Sequence, residues 1–141
     1  MTAITTDKGR IQAAHPASRM IKRKAQAEKI PMGALVSIDA SGYAENSTAT
    51  ASLVCIGVCA EECDNSAGSA GDIDCKVLTG LFWFTNSGTN AVAQTHMDEL
   101  CYVEDNNTVG SSSSSTHAAG YVRGVDATKG VLVAVGLGNV I

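Results

Sequence analysis

The side chains most able to do chemistry are five thiols and three imidazoles: Cys55, Cys59, Cys63, Cys75 and Cys101, with His15, His96 and His117. Thiolates and imidazoles together make structural zinc sites, and a paired Cys and His make a thiol nucleophile. The spacing favours neither. Cys55, Cys59 and Cys63 stand four apart, without the paired C-x-x-C of a common zinc site. On a strand, even offsets share a face, so these three converge only if nine residues run straight. Gly57 lies inside that run and reads as a bend or bulge. Cysteine is among the most buried residue types, so the five are assigned to apolar packing as reduced thiols. His15 falls in a basic leader, His96 beside two acids, and His117 after a serine run, none at a recognisable partner spacing. A Cys101–His96 pair can be drawn, yet any chain with this many of both residues offers one, and the histidines read as loop residues.

The acids Asp72/Asp74 and Glu104/Asp105 stand near turn asparagines, which suits hard cations, but EF-hand spacing is absent and turn-making accounts for them. Gly136-x-Gly138 lacks the third glycine and the strand-to-helix setting of a dinucleotide site. The aromatic cluster Leu81-Phe82-Trp83-Phe84 reads as core or as a contact between subunits. No catalytic residue, cofactor-binding residue or metal ligand is assigned, and no cofactor is expected.

The elements that would carry these side chains are short and apolar. Leu35–Ile38, Leu53–Glu62, Ile73–Leu78, Leu81–Thr85, Cys101–Glu104, Ala119–Val125 and Gly130–Val135 read as strands. Gly80 breaks the third from the fourth, and turns rich in Gly, Ser, Asn and Asp separate most of the others. A helical turn is expected near His96–Glu99, and the serines after Gly110 form an exposed loop. About seven short strands with almost no helix predict an all-β domain, a small antiparallel β-barrel or tulip-like sandwich with an extended N-terminal arm.

Charge divides the chain. Residues 1–30 hold seven cations against two acids, a net +5, and residues 31–141 hold three cations against twelve acids, a net −9. Residues 1–29 are therefore expected to be a basic arm and residues 30–141 the β-rich domain. The segment Arg19–Lys29 has good helix formers but a poor apolar stripe, and a helix that short is marginal alone, so its ordering should need a partner surface. Ile11, Met20 and Ile21 would supply apolar anchors there, and Arg19, Lys22, Arg23, Lys24 and Lys29 the charge. An acidic body argues against direct nucleic-acid binding. No run of about 18 apolar residues suggests a membrane span, and no apolar stretch follows the first charges as a secretory signal would require.

An ordered series of segments resembles the capsid decoration (cement, head-stabilising) proteins of tailed bacteriophages. It comprises Gly33–Tyr43, Ile56–Asp72, Val77–Ser87, Leu100–Val109 and Ala119–Val133, which together cover most of residues 30–141. Each segment alone is ordinary strand-and-turn grammar; the shared order carries the likeness, and the serine loop at 110–115 departs from it. The resemblance implies a structural virion protein without enzymatic activity. Such a protein is assembled in the host cytoplasm, binds the outer surface of the capsid and cements neighbouring major capsid protein subunits. Its partners would be the major capsid protein and further copies of itself, a trimer before a dimer. The alternative is another virion β-module, such as a head fibre base, a tail-tube part or a baseplate part.

Overall fold

The computed structural model describes residues 19–136, with the backbone alone for Arg19. These residues form eleven strands and one short 3-10 turn. The strands are β1 (Arg19–Lys24), β2 (Lys29–Ile30), β3 (Leu35–Ile38), β4 (Ala44–Asn46), β5 (Val54–Cys59), β6 (Cys63–Asp64), β7 (Asp74–Asn86), β8 (Leu100–Val103), β9 (Thr108–Gly110), β10 (Ala118–Asp126) and β11 (Gly130–Val135), with the 3-10 turn at Gln94–His96. The all-β expectation holds. Strands β7, β11, β10, β8 and β9 close into a five-stranded barrel. Four of its pairings are antiparallel, and the seam between β7 and β9 is parallel, Thr85 facing Thr108 and Asn86 facing Val109.

The sequence expectation breaks one strand at Gly80. The chain instead runs through it, and β7 is a single strand of 13 residues. Its second half belongs to the barrel, while its first half sits in another sheet ordered β4-β3-β5-β7-β1. Without a Cβ, Gly80 adopts φ +143 and lets one strand serve two differently oriented sheets.

Two apolar cores follow from this arrangement. The barrel encloses Phe84, Val92, Cys101, Val103, Val109, Val122, Val131, Val133 and Val135, and is closed at one end by Leu35 and Val58. The second core holds Ala25, Ile30, Val36, Ala44, Cys59, Cys63, Cys75 and Val77, with Ile21 packed against it. Strand β3 lies between them and is buried on both faces: Leu35 faces the barrel core and Val36 the other. With few aromatic residues in the chain, valines fill most of the barrel core, and small alanines and cysteines make up most of the second.

The expected boundary at residue 29/30 falls inside the folded unit. Residues 19–24 are a strand of the body, paired antiparallel with β7 from Arg19 opposite Thr79 to Lys24 opposite Asp74. Ala25 and Ile30 are fully buried. The Asn65 amide donates to the carbonyls of Ala25, Gln26 and Ser69 at 2.9–3.2 Å, and Gly71 N–H donates to Ala25 O at 2.8 Å. Helix propensity loses here because a ready strand edge offers a full ladder of hydrogen bonds, whereas an isolated helix of this length carries its nucleation cost alone.

Gly130 begins β11 at φ +100, and a Cβ there would lie 2.0 Å from the Phe84 carbonyl oxygen of β7. Gly130→Ala is therefore expected to lower unfolding stability by about 2 kcal/mol or more. Gly88→Ala, whose added Cβ meets nothing within 4 Å, should change it by no more than about 0.5 kcal/mol. Paired denaturant titrations of the two variants check this, and equal losses would contradict it.

Candidate partner-binding surface

Strand β1 ends one sheet. Ala25 N–H donates to Ile73 O at 2.9 Å, which fixes the phase of the β1–β7 ladder. Ile21 and Arg23 therefore direct their backbone groups at β7, while those of Met20, Lys22 and Lys24 point outward. At its far end the strand is pinned to β4 through the Ala25–Ala44 bridge. No other strand of the described residues pairs with its outer edge. The Lys22 carbonyl accepts from the Arg23 guanidinium at 2.8 Å.

The residues expected to bind a partner divide accordingly. Ile11 lies outside the described residues, and so does the Arg19 side chain. Met20, Lys22, Arg23 and Lys24 are exposed, and none of these three cations has an ion-pair partner among the described residues. Ile21 turns inward onto the second core. Lys29 pairs with Glu62 at 3.0 Å, so its charge is answered within the body, and that hydrogen-bonded carboxylate pushes its pKa up. Lys76, opposite Lys22 on β7, is likewise paired, with Glu61 at 3.0 Å. What β1 offers outward is one exposed thioether and three uncompensated cations along a strand edge.

A second surface was only partly foreseen. The cluster Leu81–Phe84 splits by strand alternation: Phe82 and Phe84 face the barrel core, while Leu81 and Trp83 stand outside, 52 % and 41 % exposed. Across the ladder Trp83 faces Leu132, and Leu132 faces Gly124 on β10. Leu81, Ala134, Tyr121 and Leu100 form the next row. Lys129 sits 5.5 Å from the Trp83 ring centre and Arg123 5.5 Å from that of Tyr121, while Arg123 also pairs with Asp98 at 2.7 Å. Both rows combine expected strands, but the register that brings them together is a product of barrel closure and is not visible in linear order.

Beside this face opens a groove of about 370 Å³ lined by Leu53, Val54, Cys55, Leu100, His117 and Tyr121, among others. At its base His117 is buried rather than in an exposed loop. Its Nε2 is 2.8 Å from Ser37 Oγ, which is 2.6 Å from Ser47 Oγ, and its Nδ1 is 2.8 Å from Thr50 O. A serine beside an imidazole is the skeleton of a nucleophilic pair, but Ser37 is completely buried and does not line the groove, so no substrate reaches its hydroxyl. The only sequence signal for this cluster was Ser37 inside an apolar strand, at a position where alternation asks for a core residue.

The cysteines are all free thiols and divide between the cores. The register shift of β5 against β3 skips Ile56 beside Gly57, the bulge that the sequence suggested. It turns Cys55 toward the barrel and Cys59 toward the second core, where Cys59 Sγ lies 3.9 Å from Cys75 Sγ and Cys63 packs alongside. Burial pushes the Cys55 thiol up to about 11 and the Cys101 thiol up to about 12, and raises Cys59, Cys63 and Cys75 as well. Among the described residues no group of His, Cys, Asp or Glu is arranged to hold a metal ion. Comparison of the chain with protein-family models, with curated proteins and with solved structures gives no match.

Cys59, Cys63, Cys75 and Cys101, so protonated and enclosed, should be inert in the native protein, and the half-buried Cys55 of the groove should react slowly. At pH 8 an aromatic disulfide reagent is expected to label fewer than one cysteine per chain over minutes, with all five reacting once denaturant is added. Fast labelling of Cys59 or Cys75 without unfolding would show the second core to be open.

Proposed function

We propose that this protein is a structural component of a phage virion that binds the outer surface of the capsid and reinforces the shell by bridging neighbouring major capsid protein subunits. The observation that carries the reading is the β1 edge: Lys22, Arg23 and Lys24 stand exposed and without ion-pair partners among the described residues, on a body that is otherwise acidic. The ordered sequence resemblance to capsid decoration proteins supports it. A self-supporting β domain with two cores suits a part that attaches ready-folded. In this reading the basic strand meets carboxylates on the capsid. The exposed Leu81–Trp83 face is where copies of the chain contact one another, as a trimer.

Exposed charge pairs contribute roughly 0–1 kcal/mol each, while full burial of a large apolar side chain contributes roughly 1.5–3 kcal/mol. The charges therefore guide approach and register, and Met20 with the chain ahead of it supplies hold. Repetition over many equivalent capsid sites turns modest contacts into retention through avidity.

Because residues 19–30 belong to the fold, the informative deletion stops at residue 18; one that runs to residue 29 would unfold the body. Lys22→Glu, Arg23→Glu and Lys24→Glu together are expected to lower occupancy on undecorated shells about tenfold or more, with unfolding stability within about 1 kcal/mol of the parent. Quantitative gels of purified particles and denaturant titration of the free protein check both halves. Full occupancy by the triple variant and by the 19–141 chain alike would refute the proposal.

A further inference from the structure

His117 is a buried titratable side chain that neither surface requires, and its surroundings define its protonation. The Thr50 carbonyl can only accept, so Nδ1 carries the proton and donates at 2.8 Å. Nε2 is therefore the bare nitrogen and accepts from Ser37 Oγ at 2.8 Å, and Ser37 in turn accepts from Ser47 at 2.6 Å. This relay ties three segments together: β3 through Ser37, the loop after β4 through Ser47 and Thr50, and the entry to β10 through His117, with Cys55 of β5 lining the groove beside them. Leu53, in the same loop as Thr50, forms one wall of the groove.

We infer that His117 is an acid-sensitive latch for this groove: once it is protonated, the buried charge and the reversed hydroxyl chain destabilise the closed arrangement and the groove opens. A second ring proton converts Nε2 from acceptor to donor. Ser37 must then accept from it, and the hydroxyl chain has to reverse through Ser47. Among the described residues the new charge also meets no opposite charge. Cys55 of β5 and Tyr121 of β10 are the titratable groups that share the groove lining with it, and β8 carries Cys101 and Tyr102. The loop from Ser47 to Leu53 has no titratable side chain, nor has the serine run ahead of His117. Just after β3, Asp39 is engaged by Gln26, Ser41 and Tyr43. Among the described residues no Asp, Glu, Lys or Arg lines the groove.

Burial holds the His117 imidazole below its ordinary range, opposed in part by the Thr50 carbonyl. The opened form thus binds a proton more readily than the closed form. Closure is at full strength above the ordinary histidine value of about 6.5 and weakens as pH falls toward the lower closed-state value. Other groups do not imitate this. Asp39, Asp64 and Asp126 are held below the usual carboxylate range by hydrogen bonds and keep their charge through the window. Glu45 is raised by burial and by Glu28 and Asp39, so its protonation favours the closed fold as pH falls.

The test is amide hydrogen exchange on the full chain from pH 7.5 to 5, corrected for intrinsic rates. The opening constant of residues 50–55 and 117–121 is expected to rise, approaching tenfold per pH unit below about pH 6.5, with β11 unchanged. His117→Asn, which keeps a donor near Nδ1 but does not titrate, should abolish the slope. Should that variant not fold, nitrogen chemical shifts of the parent imidazole decide, with an Nδ1–H tautomer at pH 7.5 and a titration midpoint matching the opening. An Nε2–H tautomer, flat protection across the imidazole titration, or an Asn variant that keeps the slope overturns the latch. The inference does not rest on the capsid reading, and its failure leaves that reading untouched.

Discussion

The fold depends on β7 being one strand in two sheets. Its first half is flanked by β1 and β5, its second by β11 and β9, so both cores share a single backbone as their common wall. Neighbouring elements press on it closely, which explains where glycine is required. A Cβ on Gly57 would lie 2.4 Å from the Leu78 carbonyl, one on Gly130 2.0 Å from that of Phe84, and one on Gly136 2.6 Å from Thr79 Cγ2. Strand β5 and both ends of β11 thus approach β7 at a distance that only hydrogen can occupy. Strand pairing of this kind is non-local, so the hairpin β10–β11 and the pair β3–β5 can form early, whereas barrel closure through the parallel β7–β9 seam must wait for distant parts of the chain.

The same strand explains why the basic segment is ordered. Left alone, Arg19–Lys24 would gain little from any regular structure, since lysines and arginines repel one another and helix nucleation is costly. Against β7 it acquires a ladder, and Ile21 and Ala25 enter a core that already exists. The charged side chains keep their hydration because alternation turns Lys22 and Lys24 away from that core. The cost is an outer edge left unpaired among the described residues, and lysines along it are a usual protection against unwanted strand addition. The positive edge therefore has two compatible roles: it disfavours pairing with another copy of itself, and it favours a negatively charged partner.

Much of the barrel was legible in the linear sequence, because its strands alternate and end at glycine, asparagine or aspartate. The strand Gly130–Val135 was readable from its apolar run, and the bulge at Gly57 followed from one glycine in an apolar run. The unity of β7 was not legible, since Gly80 gives the same local signal whether the strand stops or bends. Nor was β1, where six residues of helix-forming type became strand through partners 50 to 60 residues further along the chain. The loop from Tyr43 to Ala51 hid β4, a short edge strand whose pattern is too brief to register. Of the surfaces, the cations could be named from composition, but the Trp83–Leu132 row depends on register between distant strands.

The His117 relay shows the same limit in sharper form. Buried hydroxyls and imidazoles cost stability unless each finds a partner, and replacing the whole set by apolar side chains would remove that demand. Here every buried polar side chain atom of the described residues is satisfied. The relay is therefore a complete network, and a complete network fixes geometry more tightly than apolar packing does, because its partners are directional. It fixes the loop after β4 against β3, the strand that lies between the two cores, and against the entry to β10. Directional bonds are also the kind that a single proton can reverse, whereas the valine interior beside them is indifferent to pH. A fold that rests its barrel on valine and one loop on histidine has separated what must stay constant from what can respond.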